Sequence, residues 1–317
     1  MNNDIKVLVC SASPDRVNHN AVLRNYVARG FEGVLQPGHV IATSLDSAVE
    51  SAKRFRPDLI VVFGSCMPDS CDYTGLRTYC ARSGASLVFW LHDDPYEFDF
   101  NYKIYRYADM IFSNDRWAAQ HFDHPRVGHL PLAADRDAHF RPVGQDIARD
   151  VFFCGVGFPN RRQLVADCVP LLGNFKVEIL GAEWDTALPF CRNERVHNEA
   201  LPDLYASSRV TLNIGRRYNL ANSRYSLDAS TPGPRTFEAA MAGAVQCTYF
   251  EGPELLDHFD VGSEMLIFDS PAELAELVES MAGEPERRRS IAQAAQDRAL
   301  RDHTYEARAR SMLASLQ

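Results

Sequence analysis

The sequence predicts an α/β protein built from two doubly wound parallel-sheet domains, and three observations lead there. Short apolar runs alternate with amphipathic stretches from one end of the chain to the other. The runs are rich in Val, Ile, Leu and Phe and mostly lack polar alternation, as parallel strands covered on both faces require. The periodicity lapses once, around Phe140-Arg-Pro-Val-Gly-Gln-Asp-Ile-Ala-Arg149, then restarts; at 317 residues the chain also exceeds the usual reach of one hydrophobic core.

In the first half, strands are expected at 6–10, 39–43, 59–63, 86–91, 110–113 and 127–132, with helices at 21–31, 45–56, 74–83 and 116–122. After the lapse, strands are expected at 151–154, 176–180, 210–214, 245–249 and 265–268. Helices at 161–172, 202–207, 235–242, 253–259 and 271–282 separate them. The last of these carries the fullest signals: Ser270 and Glu273 form a capping box around Pro271, Leu274, Leu277, Val278 and Met281 share one face, and Gly283 follows. Helical stretches at 285–301 and 304–316 close the chain. The domains are therefore expected at residues 1–143 and 150–300. Ligands of such sheets lie outside the carboxyl ends of the strands, so a cleft between the domains is expected.

Composition narrows the function. Hydrophobic residues at 46% and charged ones at 24% are those of a soluble globular protein. A formal charge of −9 and a pI near 5.6 argue against a nucleic-acid or membrane-surface footprint. No apolar run approaches the roughly 18 residues of a membrane span. The N-terminus has no basic leader and enters a strand almost at once, so a cytoplasmic location is expected. Of the eight cysteines, Cys10, Cys154 and Cys247 lie inside apolar runs and read as buried thiols. Cys66, Cys71 and Cys80 contain no Cys-x-x-Cys pair, and His121, His124 and His129 read as turn residues, so no metal is expected.

Two segments suit an anionic ligand. Pro234-Arg-Thr-Phe-Glu-Ala-Ala-Met-Ala-Gly243 opens a helix after a Pro/Gly-rich loop and leads into an apolar strand. A helix opening presents unpaired N–H groups and the positive end of a dipole, so Arg235 and the amides of Thr236 and Phe237 suit a phosphate, and Glu238 suits ribose hydroxyls. Asp150-Val-Phe-Phe-Cys-Gly-Val-Gly-Phe-Pro-Asn-Arg-Arg162 runs a strand into a Gly-x-Gly turn. Gly155 and Gly157 would let backbone amides approach an anion, and Arg161 or Arg162 offers a fork of donors. Two anion-suited elements in one domain favour a diphosphate-bearing ligand.

These two segments, together with Tyr205-Ala-Ser-Ser-Arg-Val-Thr-Leu-Asn213 and the ending His303-Thr-Tyr-Glu-Ala-Arg308, resemble the CgeB-type (spore maturation protein) glycosyltransferases. These are relatives of the GT-B family that carries a Glu-x7-Glu motif. The resemblance implies a GT-B architecture of two Rossmann-like domains facing a cleft, with residues 303–317 as a C-terminal helix crossing back to the first domain. It implies a nucleotide-diphosphate-sugar donor, with a UDP-sugar expected, on the C-terminal domain and the acceptor on the N-terminal one. Glu238 would bind the ribose, Arg235, Thr236 and Phe237 the diphosphate or sugar, and Arg161 a phosphate; Val196 and His197 would border the base. One departure stands out: eight residues before Glu238 is Ser230, so the first Glu of the motif is missing.

In the first domain, Leu87-Val-Phe-Trp-Leu-His-Asp-Asp-Pro-Tyr96 is a strand ending in a polar cluster. His92, Asp93 or Asp94 suits a general base for an acceptor hydroxyl; alternatively His92 orients the donor sugar, as a matching His does in retaining relatives. Arg16, Asn18, His19, Asp69 and Asp72 follow earlier strands on the acceptor side. Asp135-Arg-Asp137 matches a metal-binding Asp-x-Asp but reads as a turn. The expected activity is metal-independent sugar transfer, with retention of configuration, to a protein, glycan or small molecule. Alternatives are a nucleotide-sugar epimerase on the same fold, or a non-catalytic nucleotide-sugar-binding or assembly protein, which the Ser230 departure favours.

Overall fold

The computed structural model describes residues 4–18, 21–144, 146–218, 220–249, 252 and 254–316. The chain divides into two compact units: Met1–Leu132 with Asn219–Thr231 and Tyr305–Gln317, and Ala133–Tyr218 with Pro232–Thr304.

The first unit holds β1 (Val7–Ser11), α1 (Ala21–Glu32), β2 (Val40–Thr43), α2 (Leu45–Phe55), β3 (Leu59–Gly64), α3 (Thr74–Ser83), β4 (Ser86–Leu91), β5 (Met110–Ser113), α4 (Arg116–Ala119) and β6 (Val127–His129). A 3₁₀ turn, Phe98–Ile104, lies where no element is expected from the periodicity. The sheet order is β2-β1-β3-β4-β5-β6, every pair parallel. β3 is buried along its whole length and β4 along all but its first residue, which explains their unbroken apolar sequence.

Two pieces from far along the chain complete this unit. Asp99 accepts hydrogen bonds from the backbone and hydroxyl of Ser223 and from the Arg224 amide. Asp115, 1% exposed, caps α4 through Ala118 N–H and takes the amides of Ser230 and Thr231 on its other oxygen. The terminal helix, which is the last of the chain (Tyr305–Ser315), packs on α1. A methyl group on Gly30 would lie 2.5 Å from the Tyr305 carbonyl, so the close approach of the two helices requires glycine there. Buried Arg308 fastens the same helix to the carbonyls of Pro131 and Leu132.

The second unit holds α5 (Arg136–His139), β7 (Arg149–Cys154), α6 (Pro159–Leu172), β8 (Val177–Leu180), β9 (Cys191–Arg192), α7 (Leu201–Ala206), β10 (Ser208–Asn213), α8 (Pro234–Met241), β11 (Gln246–Tyr249), α9 (Leu255–His258), β12 (Leu266–Phe268), α10 (Pro271–Gly283) and α11 (Pro285–Asp302). Its sheet is again wholly parallel, ordered β12-β11-β10-β7-β8-β9. Ser270 caps α10 by accepting from Glu273 N–H, while the Glu273 carboxylate takes the amide of Asp269, one residue outside the expected box. Short α5 and β9 lack the length to leave a periodic signal.

Candidate functional site

Two polar clusters stand at carboxyl ends of strands, one in each unit. In the second unit, the N-terminus of α8 is tied to the end of β10, because the Asn213 amide donates to Thr236 Oγ1. Pro234 supplies the first turn with a fixed φ and no N–H to leave unpaired. Arg235 then extends over the face of Phe153, its guanidinium carbon 5.2 Å from the ring centroid. Its charge lies beside the phenol of Tyr205, whose ionisation is pushed up by burial. Its Nε is buried and hydrogen-bonds to nothing among the described residues.

A methyl built on Gly155 would lie 3.2 Å from Nη1 of Arg161 and 3.2 Å from Nη2 of Arg235. Two positive groups therefore converge on one turn. Like charges so placed favour an anion between or beside them.

Glu238 sits one turn along from Arg235, its side chain 14% exposed. Oε1 lies 3.7 Å from Nε2 of His139, a residue of α5 that sequence reasoning did not single out. Asp135 caps α5 through Ala138 N–H, so the Asp-x-Asp segment forms a helix start. A surface pocket of about 620 Å³ borders the Gly155 turn through Trp184, with Arg162, Gln163, Glu183 and Asp185 on its wall.

Several expected donor contacts are redirected. The amides of Gly155 and Gly157 do not face an anion; they donate to the carbonyls of Leu180 and Ala182. The close passage of these two loops is what demands glycine. Gly181 has φ +147°, and a methyl there would meet the Gly155 carbonyl oxygen at 2.0 Å. Arg161 is 6% exposed and gives Nε and Nη2 to the Ile214 carbonyl at 3.0 and 2.7 Å and Nη1 to Val156 at 3.0 Å. It pins the loops after β7 and β10, and those donors are not left for a phosphate. Thr236 N–H donates to Gly233 at 3.1 Å, so this amide is also occupied, and the Phe237 ring is buried against His258, Phe259 and His303. Val196 packs on a buried cluster that includes Phe152 and Tyr205; His197 is exposed.

In the first unit, β4 ends at Leu91 and hands the chain to His92, Asp93 and Asp94. His92 is half-buried, its ring 5.4 Å from that of Phe63, and Asp93 is half-buried beside it in sequence. Asp94 turns inward. It is 3% exposed, and its two carboxylate oxygens take Asn101 Nδ2 and Ser113 Oγ at 2.7 Å each. Both oxygens are enclosed, so Asp94 holds the turn together and is not presented to an acceptor as expected.

Burial pushes the Asp94 carboxyl up to about 7. A carboxyl raised on folding stabilises fully below its unfolded pKa of about 3.9, and that contribution is lost as pH rises through about 7. Asp94→Asn mimics the protonated form. It is expected to melt close to the wild type near pH 4 and above it at pH 8, in scans taken across that range. A difference that does not change between the two pH values counts against this account.

The acceptor-side expectations are dispersed. Arg16 is exposed and pairs with Asp46 at 3.4 Å. Asp69 is fully exposed beside Lys103, and Asp72 accepts from Thr74 N–H at the start of α3. These carboxylates and this guanidinium serve local surface pairs and a helix start. Asn18 is half-buried, and His19 lies outside the described residues. Ser230, at the position of the missing Glu, is 6% exposed and directs its hydroxyl to Asp115 at 3.2 Å.

Comparisons with known proteins agree with this architecture. Residues 161–314 match the family model described as glycosyl transferase-like. The spore protein CgeB of Bacillus subtilis is 24% identical over 211 residues, which is 61% of this chain. The match spans 64% of that protein, less than two thirds of its length. The structure of Anabaena Alr3699/HepE in complex with UDP and glucose is similar at a TM-score of 0.62 and 12% identity, over 98% of this chain and 99% of that one. T4 phage BGT in complex with its UDP-glucose substrate is similar at 0.64 and 12% identity, over 99% and 100% of the two chains. The fold is therefore the two-domain α/β GT-B fold. No helix among the described residues is long and apolar enough to cross a membrane.

Proposed function

We propose that this CgeB-like chain of GT-B fold transfers a sugar from a nucleotide-diphosphate donor, expected to be a UDP-sugar, to a nucleophile on a protein, glycan or small molecule. The observation that carries the reading is Arg235. Its buried Nε has no hydrogen-bond partner among the described residues, and its Nη2 converges with Arg161 on the Gly155 turn that follows β7.

In the transfer, a bond forms from the acceptor nucleophile to the anomeric carbon while the bond from that carbon to the diphosphate oxygen breaks. Negative charge grows on the departing nucleotide diphosphate. Arg235 and the positive end of α8 neutralise it, a preorganised electrostatic role that replaces a divalent ion. Glu238 accepts from the ribose hydroxyls. For the retained configuration the acceptor attacks on the face that the diphosphate leaves, and its proton passes to the departing phosphate oxygen. His92 or Asp93 takes that proton only in an inverting, opposite-face displacement. The UDP-containing complexes of the HepE and T4 phage structures support the nucleotide side of the proposal. Hexosyl transfer with retention at the anomeric carbon, and action in the cytoplasm, are its finer parts; the configuration of the first-formed product tests the former.

A thermal-shift screen with UDP-, GDP-, dTDP- and CMP-sugars tests the proposal. A ligand at 100 times its Kd adds about 2.7 kcal/mol of stability, so the matching donor is expected to raise the melting temperature by several degrees. No shift with any of the four classes rules the donor site out. A shift without transfer or hydrolysis across a broad acceptor panel favours the second reading, a non-catalytic nucleotide-sugar binder. Ser230 in place of the first Glu, with its hydroxyl turned to Asp115, is the observation behind that reading.

A further inference from the structure

Glu238 can use a fixed orientation only if something fixes it, and the neighbour in place to do so is His139. This side chain is 4% exposed and comes from α5, a helix that packs against α8. The Asp135 amide donates to His139 Nδ1 at 3.0 Å. The Asp135 carbonyl, also 3.0 Å from Nδ1, already accepts from the His139 backbone amide at 2.9 Å. A proton on Nδ1 would oppose the incoming amide hydrogen, so Nδ1 is the acceptor and the ring proton resides on Nε2. Nε2 is the atom that faces Glu238 Oε1, at 3.7 Å. That separation is longer than a formed hydrogen bond and within reach of one after a small side-chain rotation.

We infer that His139 is the positioning residue for Glu238: its Nε2–H holds Oε1 and leaves Oε2 directed at the ribose of a nucleoside diphosphate. The inference rests on the donor site proposed above. It assigns a division of labour within α5, where Asp135 orients the imidazole and the imidazole orients the carboxylate. His139 touches no reacting atom, so its effect is on nucleotide recognition and on the discrimination between ribose and a sugar lacking hydroxyls. A carboxylate free to rotate loses part of a hydrogen bond that an ionised acceptor otherwise strengthens.

Two substitutions separate the contact from the packing around it. His139→Asn keeps an acceptor for the Asp135 amide and lacks the reach to Glu238. His139→Gln carries an N–H near the position of Nε2. Calorimetric titration of the full chain with UDP and with 2′,3′-dideoxy-UDP is the measurement, with melting temperatures taken alongside. The wild type is expected to prefer UDP. His139→Asn is expected to weaken UDP binding about tenfold and leave the dideoxy compound unchanged, while His139→Gln stays within about threefold of the wild type on both. If His139→Asn keeps the full preference for UDP, or if both variants lose it equally, the inference is overturned while the donor site stands. A wild type that binds the two nucleotides equally removes Glu238 from the ribose, and with it the premise.

Discussion

Arg235→Ala is expected to lower kcat/KM for the proposed transfer by about 10²- to 10³-fold, the usual loss when one preorganised charge is taken from a developing anion. The ligand-free protein is expected to melt within about 2 °C of the wild type. The reason lies in what Arg235 does in the folded chain. It rests on Phe153 beside Tyr205, yet its Nε is buried without a hydrogen-bond partner among the described residues. A cation held with an unmet donor contributes little to stability, because its desolvation is incompletely offset. Removing it therefore spares the fold and costs the ligand. Arg235→Lys retains the charge and loses both the stacking and the fork, so only part of the activity returns. Steady-state kinetics with a donor found by the thermal-shift screen, together with nucleotide titration, measures the effect. A loss of less than threefold in both would remove Arg235 from the diphosphate.

The fold was legible because its signals are local. Unbroken apolar strands such as β3 and β4, and the Ser270 cap of α10, lie within a few residues of their own cause. The ends of the strands could also be located, and with them the regions around His92 and Gly155. What could not be read is which polar groups at those ends are already engaged. Arg161 meets Ile214 across 53 residues, and Asp115 meets Ser230 across 115. No spacing rule links such partners, since the tertiary fold brings them together. The segment that contains Ser230 has neither helical nor alternating periodicity, so its place in the first unit follows from partners that spacing could not reveal, among them Asp99, Asp115 and the Tyr96 carbonyl. His139 was missed for another reason. It stands four residues after Asp135 in a stretch that matches a turn, and its relation to Glu238 depends on α5 packing against α8.

Arg161→Ala is expected to do the reverse of Arg235→Ala, lowering stability by about 3–5 kcal/mol in chemical denaturation. The guanidinium satisfies the carbonyls of Ile214 and Val156, approaches that of Gly215, and lies over Phe153 and Phe158. Alanine leaves those carbonyls without their donor in a place where the side chain itself is only 6% exposed, so water cannot simply replace it. It also opens a void under two aromatic rings. Lysine does not rescue the change, because one ammonium group cannot serve carbonyls lying on two loops at once. Nucleotide affinity, measured below the new melting transition, is expected to fall less than in Arg235→Ala, since the donors of Arg161 already point into protein. The two arginines approach the same glycine and look alike as ligands in the sequence, so this comparison decides which of them holds the fold. If Arg161→Ala instead folds normally and loses the nucleotide, the carbonyl contacts are dispensable and the phosphate belongs to Arg161, as the Gly-x-Gly turn alone had implied.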